Sequence, residues 1–333
     1  MTYQTGTASN PTQLLDALRT FALANGWAQD RWEWDVESEN DNYTLSLSKN
    51  GIHVHLCTAQ NEKYSFYENS SVTGLFLTAS TAFDDSEPWW NQPGAIPNRY
   101  YANGSGRERT AACGLYQVST ANTYHLLAAS SPDFIALVVE VSPGIYHHLA
   151  FGAIATYGST AGGEFVSGSF GLKDDTESYR QDYLFGINND YGGLPFMDYK
   201  INGMSYVRAV VDGVGSWFSL CRSSPRSGKR CLSLWGEVGA KTDSNNNLGN
   251  RWWTCAPNGL NGLTPMLPFY LLVERDNGFF SPIGYCPHLR YLNIRNYAPT
   301  QQFALGQEQW MVFPAHSRNQ KSGEHGFAVR VNG

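Results

Sequence analysis

Residues 124–154 read YHLLAASSPDFIALVVEVSPGIYHHLAFGAI. Three apolar runs stand in this stretch: Tyr124 to Ala129, Phe134 to Val141 and Ile145 to Ile154. They are separated by Ser-Ser-Pro-Asp at 130–133 and Ser-Pro-Gly at 142–144. Proline and glycine supply the dihedrals of tight turns, and serine and aspartate close such turns through their side chains. The stretch predicts a meander of antiparallel strands. Its middle run is apolar on both faces, which places that strand in the interior of a sheet.

Toward the N-terminus the pattern changes period once. Asn10 can cap a helix and Pro11 suits its first position; Leu14, Leu18 and Phe21 then share a face flanked by Leu15 and Ala22, and Gly26 ends the run. Tyr43, Leu45 and Leu47 alternate with polar residues, as do Ile52, Val54 and Leu56. The Asn50-Gly51 pair between them is a strong hairpin signal. Thr73 to Ser80 adds a third strand, and the apolar stripe of the helix is expected to lie over this small sheet.

Toward the C-terminus, strands are expected at Tyr206 to Val211, Trp217 to Cys221, Phe269 to Glu274, Phe279 to Tyr285, Leu289 to Ile294, Gln309 to Phe313 and Phe327 to Val331. Asp276-Asn277-Gly278 reads as a further hairpin turn. The interval from Glu87 to Thr110 is punctuated by Pro88, Pro93, Gly94, Pro97, Gly104 and Gly106, the composition of a linker. The expected fold is therefore mainly β, with antiparallel sheets in a sandwich-like arrangement and one prominent N-terminal helix. The expected division is an α+β unit over 1–95, a linker over 96–110, and an antiparallel β domain over 111–333 with a Ser-, Asn- and Gly-rich excursion at 223–265.

Only 16% of the residues are charged, the net charge is −6, and no run of Lys and Arg appears. Binding to nucleic acid through a phosphate-neutralising patch is therefore not expected. A surface so poor in charge suits a subunit that buries its faces against neighbours, hence a homo-oligomer or part of a symmetric assembly. Met1 to Asn10 lacks the layout of a signal peptide, and the most apolar run is broken by Glu140, so synthesis in the cytoplasm and no membrane contact are expected. The six cysteines form no C-x-x-C pair; Cys221 and Cys231 could bridge a hairpin, but free thiols are the plainer reading.

No nucleophile elbow, phosphate loop or zinc-binding helix motif occurs. His53 and His55 share a strand face and could hold a metal, yet no third ligand is placed beside them; His147 and His148 point to opposite faces. Asp84-Asp85 and Asp174-Asp175 could each give half of a two-carboxylate site, though such pairs are common in surface turns, and Asp190 and Asp276 serve turns first. No enzyme, cofactor or metal is expected. Trp89-Trp90 and Trp252-Trp253 fall where packing demand is lowest, and exposed tryptophans anchor interfaces or stack on sugars. Each pair could equally pack beneath its own loop.

Several segments resemble a group of structural proteins of tailed bacteriophages. They are the opening helix with Gly26-Trp27 and the Asn-Gly hairpin, Trp90-Asn91-Gln92-Pro93-Gly94, and His148-Leu149-Ala150-Phe151-Gly152 followed by Gly162-Gly163-Glu164-Phe165. The C-terminal part adds Arg295-Asn296, Trp310-Met311-Val312-Phe313-Pro314 and Gly326-Phe327-Ala328. The resemblance implies a place in the virion, in the tail or baseplate, among other virion proteins. A neck, collar or head-decoration station is the nearest alternative within the particle. A carbohydrate- or receptor-binding module with glycan contact, and a glycan hydrolase built on paired carboxylates, are the readings from other classes.

Overall fold

The computed structural model describes residues 1–34, 42–62, 72–96, 112–116, 118, 121–158, 161–171, 204–219, 231–233, 256–275, 279–316 and 321–332. In chain order the elements are β1 (Thr2–Ala8), α1 (Pro11–Ala24), β2 (Ala28–Trp34), β3 (Tyr43–Lys49), β4 (Ile52–Glu62), β5 (Val72–Ser80) and β6 (Cys113–Tyr116). The meander follows as β7 (Asn122–Ser130), β8 (Asp133–Ser142) and β9 (Ile145–Ala153), then β10 (Ala155–Thr156), β11 (Gly162–Gly168), β12 (Phe170–Gly171), β13 (Met204–Val211) and β14 (Val214–Ser219). The last six strands are β15 (Cys231–Ser233), β16 (Leu267–Glu274), β17 (Phe280–Asn293), β18 (Gln302–Leu305), β19 (Glu308–His316) and β20 (Lys321–Arg330). All pairings are antiparallel among the described residues. The protein is thus mainly β with one N-terminal helix, as the sequence predicts.

The meander forms the heart of a seven-stranded central sheet, ordered β1-β7-β8-β9-β11-β13-β14. Strand β8 is buried along nearly its whole length. Ile135, Leu137 and Val139 on one face join a core with α1 and the sheet β12-β6-β5-β4-β3-β2. Phe134, Ala136 and Val138 on the other face join a second core with the sheet β15-β16-β17-β20-β19-β18. Three sheets are therefore stacked, the middle one covered on both sides, and α1 is wedged into the first layer. The Asn10 side chain accepts a hydrogen bond from the Gln13 N–H at 2.8 Å and caps this helix, whose Leu14, Leu15, Leu18, Phe21 and Ala22 are all buried.

Strand pairing crosses the expected division at 96–110. β1 leaves the N-terminal part to pair with β7 over seven residues, while β6 and β12 cross the other way to extend the helix-side sheet. Backbone hydrogen bonding, blind to sequence distance, carries both exchanges. The segment before the expected linker is also no free connection. Arg31 donates to the carbonyls of Glu87 (2.8 Å) and Asp85 (2.5 Å), and Trp217 Nε1–H donates to the Gly94 carbonyl at 3.0 Å. Residues 81–96 are thereby fastened to two sheets at once; the rest of the expected linker lies outside the described residues.

Candidate interaction site

The titratable clusters come first, because they are where chemistry would reside. On β4, His53 and His55 share the face of the helix-side sheet that looks away from the central sheet, as alternation requires. His55 sits between Ser46 and Ser80, with Nδ1 2.9 Å from Ser46 Oγ and Nε2 2.7 Å from Ser80 Oγ. Ser80 gives its own proton to the Ala82 carbonyl at 2.6 Å, so Nε2–H donates to Ser80 and Nδ1 accepts from Ser46. Phe83 stacks on the ring, and burial pushes the imidazole down to about 3, with His53 and Arg31 adding to the effect. The distances are those of a base beside a hydroxyl. Ser46, His55 and Ser80 are nevertheless sealed, at 0%, 0% and 2% exposure, so the arrangement is a strut that holds residues 81–96 on the sheet.

A second cluster lies between the central and C-terminal sheets. His148 Nδ1 is 3.0 Å from Ser169 Oγ and Nε2 is 3.3 Å from Ser167 Oγ, while Ser205 donates to Ser167 at 2.8 Å. His148 packs on Phe327, and all four polar residues are buried. His147 is buried on the opposite face. Among the described residues no three His, Cys, Asp or Glu side chains gather in a metal-binding group.

The Asp84-Asp85 pair serves structure. Asp84 accepts from the Ser86 N–H (2.9 Å) and hydroxyl (2.7 Å), bonds that hold its carboxyl below the ordinary value, and Asp85 reaches Arg31 at 3.4 Å. Asp174, Asp175, Asp190 and Asp276 lie outside the described residues. Cys57, Cys113 and Cys286 are buried and in no disulfide; burial raises Cys286 to about 12 and Cys113 well above the ordinary thiol value, so neither is a nucleophile at neutral pH. Cys221 lies outside the described residues, and Cys231 opens β15 opposite Val273.

Exposed apolar groups are more informative. Trp89 is buried and Trp90 is half-buried; Trp252 and Trp253 lie outside the described residues. The excursion presents instead Leu260, 99% exposed, with Leu263 beside it at 65%. The turn beneath them is stiff: Asn258 N–H donates to Leu263 O and Gly262 N–H to Asn258 O, both at 2.8 Å. Leu260 N–H donates to Asn258 Oδ1 (2.8 Å) and Leu263 N–H to Asn261 Oδ1 (3.0 Å). A second group lies on the outer face of the C-terminal sheet. Tyr157, held by its N–H on the Ile283 carbonyl (2.9 Å), stacks on Tyr285 with ring centres 6.2 Å apart, and Tyr285 touches Tyr270 at 5.9 Å. Partial burial and the two neighbouring phenols raise the Tyr157 hydroxyl above its ordinary value.

Sequence reasoning placed the contact surface on tryptophan pairs and missed both groups. A signal for the first was present in Asn258-Gly259-Leu260-Asn261-Gly262-Leu263, where asparagine and glycine announce turns and the leucines between them have no strand to join. The tyrosines come from three separate points of the chain and meet only through the β10–β17 and β16–β17 pairings. No protein-family model matches the chain, and no curated protein matches it in sequence.

Proposed function

We propose that this chain is a non-catalytic structural subunit of a tailed-bacteriophage particle, seated in the tail or baseplate, and that it acts through protein–protein interfaces. The observation that carries the interface part is Leu260. A leucine wholly in water is unfavourable, and here four hydrogen bonds hold the turn that displays it. A rigid apolar knob loses little entropy when a partner covers it, as an interface anchor should. The phage part is supported by the resembling segments, which fall on load-carrying backbone: His148 to Gly152 in β9, Gly162 to Phe165 in β11, Trp310 to Pro314 in β19 and Gly326 to Ala328 in β20.

Quantitative mass spectrometry of purified particles of the phage that encodes the chain tests this reading. A small fixed copy number set by the rotational symmetry of the tail is the expected result. A copy number near that of the major capsid protein would move the subunit to the head surface, and absence from particles would overturn the proposal.

The tyrosine cluster favours a second reading, a carbohydrate- or receptor-binding module on the same particle. Stacked, half-exposed phenols can meet the apolar face of a sugar ring and hydrogen-bond its edge. A titration against host-envelope glycans that Tyr157→Ala abolishes would establish it, and a flat response across the panel would remove it.

A further inference from the structure

A sheet edge is a row of unpaired N–H and C=O groups, and a protein that stays monomeric blunts it with shortness, charge, proline, a bulge or a cover. Among the described residues the edges of this protein are treated very unequally. β12, β15 and β18 are two, three and four residues long. β2 carries Asp30, Arg31 and Glu33 and is bulged between Gln29 and Arg31. β14 has the Arg208 guanidinium over Gly215, and Arg208 is paired with Glu164.

Among the described residues, β1 has none of these devices. It runs for seven residues, Thr-Tyr-Gln-Thr-Gly-Thr-Ala, with no charge, no proline and an unbroken register against β7. Thr2, Tyr3, Gln4, Thr5 and Thr7 are exposed. The strand is also held ready. Tyr3 stacks on His125 and shares a 2.9 Å hydrogen bond with its Nδ1, Thr5 donates to the Tyr124 carbonyl at 2.8 Å, and the Tyr124 ring fills the space over Gly6.

We propose that two copies of this chain join edge to edge through β1, antiparallel, with Thr5 of one copy opposite Thr5 of the other. That register alone overlaps the strand from Thr2 to Ala8 completely, and a two-fold axis makes it self-complementary. It sets Tyr3 against Thr7 and Gln4 against Gly6, so that an aromatic ring meets a β-branched residue and no charges are opposed. The central sheets of the two copies become one continuous sheet. A second copy is the fitting occupant because an uncharged strand has nothing to repel its own image, whereas a charged partner would find no complement there. This pairing goes beyond the subunit reading above and rests on different residues, so either can fail alone.

The test is the mass of the full chain in solution, by light scattering and sedimentation, with circular dichroism as a check on folding. The wild type is expected to be a dimer. Thr5→Lys and Thr5→Glu each place two like charges face to face and should raise the dissociation constant on the order of tenfold or more. Mixing the two variants should restore a one-to-one heterodimer, which only a residue 5 to residue 5 contact can produce, and Thr5→Val should leave the dimer intact. If Thr5→Lys does not fold, Gln4→Lys carries the same test through like charges on the diagonal. A monomeric wild type, a dimer indifferent to both charges, or a mixture that stays monomeric would overturn the proposal.

Discussion

The two layers on either side of the central sheet are built from different materials. Toward α1 the core is mostly aliphatic: Leu126, Ile135, Leu137, Val139 and Leu149 meet Leu14, Leu18, Leu47, Val54, Leu56 and Leu77, with Phe21, Trp27 and Phe151 among its rings. Toward the C-terminal sheet it is aromatic, with Phe134, Phe165, Phe218, Phe269, Phe313 and Phe327, and it takes in His125, His148 and His288. His147 is the one imidazole that alternation turns to the aliphatic side among the described residues of the meander. Both layers exclude water, but of the two cores only the aromatic one takes in several groups that can acquire charge, since His55 lies on the far face of the helix-side sheet. It should therefore be the layer that conditions can loosen.

The largest expected effect removes the contrast altogether. Gly152, in β9 of the shared sheet, has φ +141°, and a Cβ there would lie 2.1 Å from the Asp133 carbonyl oxygen. Gly152→Ala should cost more than about 4 kcal/mol and abolish the cooperative urea transition of both layers together. Leu137→Ala, at a fully buried position of the aliphatic layer, should cost about 3 kcal/mol in urea unfolding. Its penalty should be the same at pH 7.5 and pH 5, since its partners across the sheet are Leu126 and Leu149; a penalty that shrinks with acid would blur the distinction between the layers.

Acid sharpens it. Burial lowers His125 below its ordinary 6.5 and lowers His288, which also faces Arg330 and Arg290, to about 4. Below pH 6.5 the unfolded chain takes up these protons while the folded chain does not. The unfolded state then binds more protons, so stability falls as pH drops from 6.5 toward 4. His288 alone should contribute a loss on the order of 2 kcal/mol across that window. His288→Gln should reduce the dependence by that share and leave the part carried by His55 and His125, and hydrogen exchange should show β17 and β20 opening before α1. An acid response led by α1 would reverse the assignment of the labile layer. The smallest effect belongs to the helix cap: Asn10→Ala should cost about 1 kcal/mol, with faster exchange confined to the first turn of α1.

Elements whose stability is local were legible. The helix cap, the apolar stripe of α1, the Asn50-Gly51 turn with its two positive φ values and the three strands of the meander all appear where the residues place them. β17 was legible only in two pieces, Phe279 to Tyr285 and Leu289 to Ile294, because Pro282 and Pro287 interrupt it. In the structure β16 and β17 stay paired across register shifts at Pro268/Phe269 and Leu271/Leu272, and one strand of fourteen residues runs through both prolines. β1 was not legible, since its polar residues show no alternation and its order comes from β7 and the Tyr124 ring. The tyrosine group was hidden for the same reason, and the turn at 258–263 showed in the sequence without its exposure: whether Leu260 is covered, or Tyr157 stacked, depends on residues far away in the chain.

The sequence by itself determined that this is a β protein with a single opening helix, that the meander is interior, and that little charge is available for its surface. Period-two patterning, turn residues and caps act over a few neighbouring residues, so they are written locally. Only the tertiary structure decided which strands are neighbours, which histidines are sealed, and which edge and which leucine face water. Strand pairing is made by backbone groups that every residue carries alike, and the choice among partners is settled by how whole faces pack.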